Sequence, residues 1–206
     1  MRRTARVVAV LVMAAGLQVP TLAFTLDYDF EDLADLEALT NQYSGDGVHF
    51  GGGAVALQEG GSLNTAAGWY ATSPVTVIST PGGSDYIEVL FDMPVSGVSA
   101  MYECRYSDFY LDAYDEDGGD PIASDSGAET YVEGWGHIAA AVAVSDAEGL
   151  IRSVRFHNGG SFFLIDDLHI EGTDAGPGDE TPEPCTWVLL ACTGIAGAVA
   201  RRRRST

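Results

Sequence analysis

Short apolar runs separated by turn signals fill the middle of the chain, and most are too short for helices. The clearest alternation lies in Asp108–Tyr114, where Phe109 and Leu111 face away from Tyr110 and Tyr114. Pairs and triplets of glycine punctuate the segments between these runs. The predicted strands are Val48–Phe50, Ala54–Gln58, Tyr86–Phe91, Val98–Tyr102, Asp108–Tyr114, Ile138–Val144, Ile151–Phe156 and Phe162–Ile170.

This pattern predicts an all-β domain of antiparallel strands, built as a β-sandwich of the jelly-roll type. Glu31–Leu39 is the one segment that we expect to hold a helical turn, because Leu33, Leu36 and Leu39 are spaced by three residues. The predicted folded domain covers residues 24–171. It contains a single cysteine, Cys104, so no disulfide bond can form within it.

The charge of this domain excludes one class of partner. The chain has no lysine, and residues 24–180 hold three arginines against 29 acidic residues, a formal net charge of −26. Such a surface repels phosphate backbones, so we expect no nucleic-acid partner. It attracts divalent cations instead.

The N-terminal residues 1–23 have the pattern of a secretory signal peptide. Arg2, Arg3 and Arg6 precede an apolar run over Val7–Leu17, and Ala23 ends a small-residue cleavage site. The apolar run is short for a membrane anchor, which needs about 20 residues. The sequence therefore predicts export.

The C-terminal end combines three features in a fixed order. An acidic, glycine-rich linker over 172–180 leads to residues 181–206, which contain an apolar, uncharged stretch at about 187–200 and then the arginine block Arg201–Arg204. Pro182, Glu183 and Pro184, followed by these features, resemble the PEP-CTERM sorting signal of Gram-negative bacteria. The resemblance implies a transient transmembrane helix in the inner membrane. It also implies cleavage by an exosortase-type protease, and release to the cell surface or extracellular matrix.

A second resemblance covers most of the domain. The segments LDYDFEDL, QYSGDGVHF, FYLDAYDEDGG and IRSVRF with FFLIDDLHI resemble exported jelly-roll domains related to carbohydrate-binding modules and MAM domains. It implies that the first and last strands lie side by side and share a structural calcium ion. Glu31 and Asp166 match the positions of the family's calcium ligands.

The residues themselves give a reason for a cation at this place. Asp166 shares strand parity with Leu168 and Ile170, so it points inward if those two residues are in the core. A buried carboxylate needs a cation or several hydrogen-bond donors. Calcium takes six to eight oxygens, so backbone carbonyls and Asp29, Asp32 or Asp167 would complete the set. Alternatively, Asp166 and Asp167 accept backbone hydrogen bonds at a strand end.

Aromatic side chains are the candidate ligand-binding residues, because sugar rings stack on flat aromatic faces. The wider set is Trp69, Tyr70, Tyr102, Tyr106, Tyr110, Tyr114, Tyr131 and Trp135. We expect Tyr110 and Tyr114 to form an exposed platform, and Trp69 and Trp135 to lie in glycine-containing loops. Aromatic residues that merely cover the sandwich are the alternative.

No catalytic motif stands out. The four histidines lack metal-protease spacing, and no nucleophile elbow is present. The sequence therefore predicts a non-catalytic protein of the envelope or matrix that binds polysaccharide. Two alternatives remain: a structural matrix protein that assembles through calcium-bridged acidic surfaces, and a carbohydrate-active enzyme.

Overall fold

A computed structural model describes residues 23–80, 85–115, 119–133, 135–160 and 162–173. The predicted signal peptide up to residue 22, the linker from residue 174, and the tail with Pro182, Glu183 and Pro184 lie outside the described residues. None of the helices in the described ranges is long and apolar enough to span a bilayer.

The described chain is almost entirely β-structure, which confirms the predicted all-β fold. Two 3₁₀ turns, Ser44–Asp46 and Thr65–Ala67, interrupt the strands. The strands are β1 (Ala23–Tyr28), β2 (Val48–Gly51), β3 (Val55–Gln58), β4 (Thr76–Ser79), β5 (Tyr86–Cys104), β6 (Phe109–Tyr114), β7 (Ala123–Gly127), β8 (Tyr131–Val132), β9 (Gly136–His137), β10 (Ala140–Ser145), β11 (Ile151–Asn158) and β12 (Phe163–Thr173). All strand pairs are antiparallel.

The long strand β5 belongs to both layers of the sandwich. Its first half pairs with β2 and β11, and β6 and β7 extend this first layer. Its second half pairs with β10 and β12, and β1 and β4 pair with β12 in the second layer. Extra residues of β5 next to Val95 shift its register with both β11 and β12, and they mark the place where the strand changes layers.

The main core lies between the two layers. Alternate residues of β5, β6, β11 and β12 point into it, and the aromatic rings of Phe109, Phe156 and Phe163 are fully buried there. This is the period of two that the sequence displays in β6. Cys104 is also buried in this core and forms no disulfide bond with a described residue, and burial raises the pKa of its thiol to about 11.

A second, smaller core covers the outer face of the second layer. Leu57, Leu63, Trp69, Val77 and Leu164 form it. The chain between β3 and β4 folds over this face, so one side of the second layer that would otherwise meet solvent is dry. This cover positions most of the groups discussed below.

A β-bulge corrects the parity argument for Asp166. Asp166 pairs with Met101, but His169 pairs with Ser99, so β12 carries one extra residue at this point. Asp167 lies in the bulge with a φ of 48°. Asp166 is therefore buried, as expected, but on the outer face beside Leu164 and not toward the main core with Leu168.

The predicted helical turn over Glu31–Leu39 is absent. Two tight turns replace it, and the amides of Leu36 and Leu39 donate to the carbonyls of Ala56 and Ala54. Leu36 has a φ of 62°, which turns its side chain into solvent while Leu33 and Leu39 enter the core. The amides of Leu36 and Leu39 therefore bond to a neighbouring segment, and not to carbonyls four residues earlier as they would in an α-helix.

Candidate functional site

A groove at one end of the sandwich is the main candidate site. Its volume is about 610 Å³, within the usual range for small-molecule sites. Its lining is mostly apolar and aromatic, with a few polar groups. The lining residues that the structure describes are Leu36, Leu57, Ser62, Asn64, Trp69, Arg105, Tyr106 and Phe162.

Two aromatic side chains of the groove face solvent. Tyr106 is 74% exposed and has a φ of 71°, which lifts its ring away from the end of β5. Phe162 is partly exposed, and its ring meets the Trp69 ring edge-on at a centroid distance of 4.9 Å. The groove therefore offers apolar ring surfaces beside polar side chains.

Close contact between two backbone segments positions the wall of the groove. Gly68 and Gly136 both have a φ of 85°, and a Cβ atom on Gly68 would lie 2.8 Å from the Cα of Gly136. The amide of His137 donates to the carbonyl of Gly68. Only glycine fits at this approach.

His137 is the buried support of Trp69. The two rings stack with a centroid distance of 3.6 Å. Thr130 Oγ1 donates its proton to the carbonyl of Cys104, so His137 Nδ1 donates to Thr130 Oγ1 at 3.2 Å. Burial lowers the pKa of His137, and nearby Arg105 lowers it further, so the imidazole is neutral.

Arg105 has an unusual environment for a cation in an acidic domain. Its guanidinium carbon lies 3.8 Å from the ring centroid of Tyr131 and 4.6 Å from that of Tyr106. Its Nε is buried and has no hydrogen-bond partner within the described ranges. No carboxylate of the described residues forms an ion pair with it.

The structure places Trp69 and Trp135 near this groove but gives them different roles. Trp69 lies in a glycine-containing loop, as expected, but it is only 7% exposed, because the second core and His137 enclose it. Trp135 is 81% exposed in the turn between β8 and β9. Both lie in loops beside a glycine, which is why the sequence does not separate them.

Tyr110 and Tyr114 lie elsewhere, on the outer face of the first layer. Tyr110 is partly exposed, and its ring stacks on His157 at 5.2 Å. Tyr114 points outward as predicted but is 8% exposed, because the guanidinium carbon of Arg155 lies 5.0 Å from its ring centroid. The four predicted aromatic residues therefore do not form one strip.

One ion pair and several hydrogen bonds occupy the polar groups of this outer face. Arg155 Nε lies 2.8 Å from Glu88 Oε1, and His157 Nε2 lies 2.9 Å from Asp112 Oδ2. Ser124 donates to the other oxygen of Asp112. These groups hold one another across β5, β11, β6 and β7, which distinguishes this face from the groove at Arg105.

Four carboxylates hold the chain segment 70–76 through its backbone amides. Glu103 accepts from Tyr70, and Glu59 accepts from Ala71. Asp166 accepts from Thr72 and Ser73, and Glu31 from Val75 and Thr76. Acidic residues from four separate strands and turns thus bind one segment. Successive amides of that segment donate to them.

Glu31 and Asp166 are brought together, as the sequence predicts, around Ser73. Ser73 Oγ lies 2.7 Å from Asp166 Oδ1 and 3.5 Å from Glu31 Oε1. It also lies 3.1 Å from the carbonyl oxygen of Asp29 and 3.4 Å from that of Thr76. One hydroxyl proton faces four acceptor oxygens, so this place is rich in oxygen ligands.

The remaining predicted metal ligands have other partners. Asp32 Oδ1 accepts the hydroxyl proton of Tyr43 at 2.6 Å. The Asp29 side chain accepts from the amide of Glu31. Burial and nearby Asp166 raise the pKa of Asp167. Across the described ranges, no three His, Cys, Asp or Glu side chains are grouped to hold a metal ion.

Sequence reasoning missed two groups of the groove, Arg105 and Phe162. Arg105 had a signal, since it is one of three arginines between residues 24 and 180. Phe162 had none, because its exposure depends on the turn after β11. Tyr106 belonged to the wider aromatic set but had no feature to single it out.

Comparisons with known proteins give fold neighbours only. No protein-family model matches the sequence, and no curated protein matches it. The K2 cleaved adhesin domain of Lys-gingipain is similar in structure, with a TM-score of 0.47 and 10% identity over 71% of this chain and 99% of that chain. TmCBM61 in complex with β-1,4-galactotriose has a TM-score of 0.37 and 12% identity over 66% of this chain and 98% of that chain. The CBM22-1 xylan-binding domain of Paenibacillus barcinonensis Xyn10C has a TM-score of 0.38 and 14% identity over 72% of this chain and 92% of that chain.

Proposed function

We propose that this domain is a non-catalytic polysaccharide-binding module, and that the groove beside Tyr106 holds the sugar. The observation that carries the proposal is the pair of exposed rings, Tyr106 and Phe162, on a groove of about 610 Å³. Apolar faces of sugar rings stack on such side chains. Ser62, Asn64 and Arg105 supply polar groups that can bind hydroxyls.

The path of the chain supports this assignment. Phe162 lies at the start of β12, whose 11 residues span roughly 35 Å, and Thr173 at its other end pairs with Ala23. The described chain thus enters and leaves at the end of the sandwich remote from the groove. A domain that is attached through that end presents its groove on the side away from the attachment.

The lining of the groove supports a binding role over catalysis. None of its eight described residues is a carboxylic acid or a histidine, the groups that most often transfer protons in sugar hydrolysis. Glu103 and Glu59 accept hydrogen bonds from backbone amides, and Asp35 accepts from the amide and the hydroxyl of Ser62. We therefore propose binding without turnover.

Affinity electrophoresis of the protein through gels that contain single polysaccharides tests the proposal. We expect retardation by at least one polysaccharide, and we expect Tyr106→Ala to abolish it. Tyr110→Ala is the matched control, because Tyr110 lies on the other layer and should leave retardation unchanged. Loss with Tyr110→Ala alone would move the site to the outer sheet face. No retardation on any polysaccharide would contradict the function itself.

We also propose that calcium binds between the first and last strands of the sandwich. Glu31 and Asp166 would hold it with the carbonyl oxygens of Asp29 and Thr76, which already surround Ser73 Oγ. Oxygen ligands of this kind suit calcium. The ion would neutralise two carboxylates in a domain with a large negative charge.

We finally propose that the protein is exported and held at the inner membrane before cleavage. Pro182, Glu183 and Pro184, the apolar stretch and the block Arg201–Arg204 support an exosortase-type substrate. Mass spectrometry of the surface protein should find peptides of the domain but none containing Arg201–Arg204. An intact tail on exported protein would contradict this proposal.

A further inference from the structure

We propose that the groove selects a carboxylated sugar, a uronic acid unit of a polysaccharide, and that the Arg105 guanidinium binds its carboxylate. This inference rests on the proposed function and names the substrate class of the same site. Arg105 is the only cation among the lining residues that the structure describes.

Arg105 differs from the other two arginines of the domain in its partners. Arg155 pairs with Glu88, and Arg152 donates to the carbonyl of Asp92. The Arg105 guanidinium lies over the rings of Tyr106 and Tyr131. Among the described residues, Arg105 thus pairs neither with a carboxylate, as Arg155 does, nor with a backbone carbonyl, as Arg152 does.

The acidic residues near this end are engaged by other groups. Glu129 accepts from the amide of Tyr106 at 3.1 Å. Asp35 accepts from the amide and the hydroxyl of Ser62 and from the amide of Gln58. Both carboxylates keep their negative charge, but neither lines the groove, and the only charged side chain among the described lining residues is the cation Arg105.

The position of the guanidinium prepares it for an anion. Two tyrosine rings hold it at 3.8 Å and 4.6 Å, which fixes its place and stabilises its charge. A carboxylate in the groove would accept from the terminal nitrogens of the guanidinium, whose planar geometry allows bidentate pairing.

The ring surfaces favour a sugar over an acidic peptide as the carrier of that carboxylate. Tyr106 is exposed directly beside Arg105, and Phe162 lines the same groove. A uronic acid unit presents an apolar ring face and a carboxylate on one rigid ring, so it can meet a tyrosine and the arginine together. An acidic side chain of a peptide offers the charge without the ring face.

The net charge of the domain opposes an acidic ligand at long range but not at contact. Salt at 0.15 M screens charges beyond about 8 Å, whereas a partly buried ion pair is screened much less. We therefore expect binding to an acidic oligosaccharide to persist or strengthen when salt rises from low to physiological concentration. Binding that depends only on attraction between exposed charges would weaken as the salt concentration rises.

Titration calorimetry of the protein with two matched ligands tests the inference. The ligands are an oligogalacturonate and the same oligosaccharide with its carboxyl groups reduced to alcohols. We expect at least tenfold tighter binding of the acidic form, and we expect Arg105→Gln to remove this preference while it keeps the weaker neutral binding. Arg152→Gln is the control, and should keep the preference.

Each result decides one level of the argument. Equal affinity for both ligands overturns the inference and leaves the proposed function standing, whereas no binding of either ligand or of any polysaccharide overturns both. Binding of poly-glutamate with the same affinity and the same dependence on Arg105 overturns the sugar assignment. If Arg105→Gln lowers the melting temperature, Arg105→Lys replaces it, and should bind the acidic ligand more weakly because lysine lacks the fork geometry.

Discussion

The indole of Trp69 stacks on the imidazole of His137, with ring centroids 3.6 Å apart and planes inclined by 17°. The contact joins the segment after the Thr65–Ala67 turn to the small β8–β9 hairpin. Trp69 belongs both to the apolar second core and to the lining of the groove. Loss of the stack should therefore affect the stability of that core and the shape of the groove.

Truncation of Trp69 should therefore be costly. We expect Trp69→Ala to lower the free energy of unfolding by about 3 kcal/mol, since it removes a buried aromatic ring from the second core. Urea denaturation measures the change. Trp135→Ala is the matched control, because Trp135 is exposed, and should change stability by no more than about 0.5 kcal/mol. Equal effects of the two substitutions would contradict the assigned burial.

Glu103 should make stability depend on pH in an unusual direction. Its side chain is 4% exposed, and burial raises its pKa to about 7, helped by Asp166 and Glu59. A raised carboxyl pKa means that the folded state binds the proton more tightly. The stabilisation is thus complete below the unfolded pKa of about 4.3 and is lost as pH rises through 7.

Glu103→Gln should remove this loss. We compare the free energy of unfolding of the variant with that of the native protein. The difference should favour the variant by on the order of 3 kcal/mol more at pH 8 than at pH 4. At pH 8 the native protein must bury a charged carboxylate, and the variant does not. Unfolding in urea at both values measures the difference. Glu129→Gln, which changes a more exposed carboxylate, should show no comparable gain. If the difference in the free energy of unfolding between variant and native protein does not change with pH, the raised pKa of Glu103 is contradicted.

The calcium proposal predicts a stabilisation that salt alone does not give. At 100 times its dissociation constant, calcium should add about 2.7 kcal/mol, which corresponds to a rise in melting temperature of roughly 5–10 °C. Thermal melting with chelator, with calcium, and with sodium chloride at equal ionic strength separates coordination from screening.

Two variants assign the calcium effect to the proposed ligands. Asp166→Asn and Glu31→Gln should each abolish the increment caused by calcium, whatever they do to the basal melting temperature. Asp112→Asn should preserve it, since Asp112 lies on the opposite layer beside His157. If calcium does no more than matched salt, Asp166 acts only as an acceptor for the amides of Thr72 and Ser73.

The sequence by itself determined the class of the fold and the inward face of several strands. Alternation in β6 correctly places Phe109 and Leu111 in the core and turns Tyr110 outward, because strand parity is a local property of the backbone. It also predicted that Glu31 and Asp166 lie near each other, through the resemblance to jelly-roll domains, and both reach Ser73.

Only the tertiary structure decided what covers the outer faces. The bulge at Asp167 changes the parity of β12, so Asp166 is buried by segment 70–76, more than 90 positions earlier in the chain. The same cover encloses Trp69, while Trp135, in an equally glycine-rich context, stays in solvent. Burial of an outward-facing residue depends on which distant segment lies over it. A local pattern of apolar and polar positions does not contain that information.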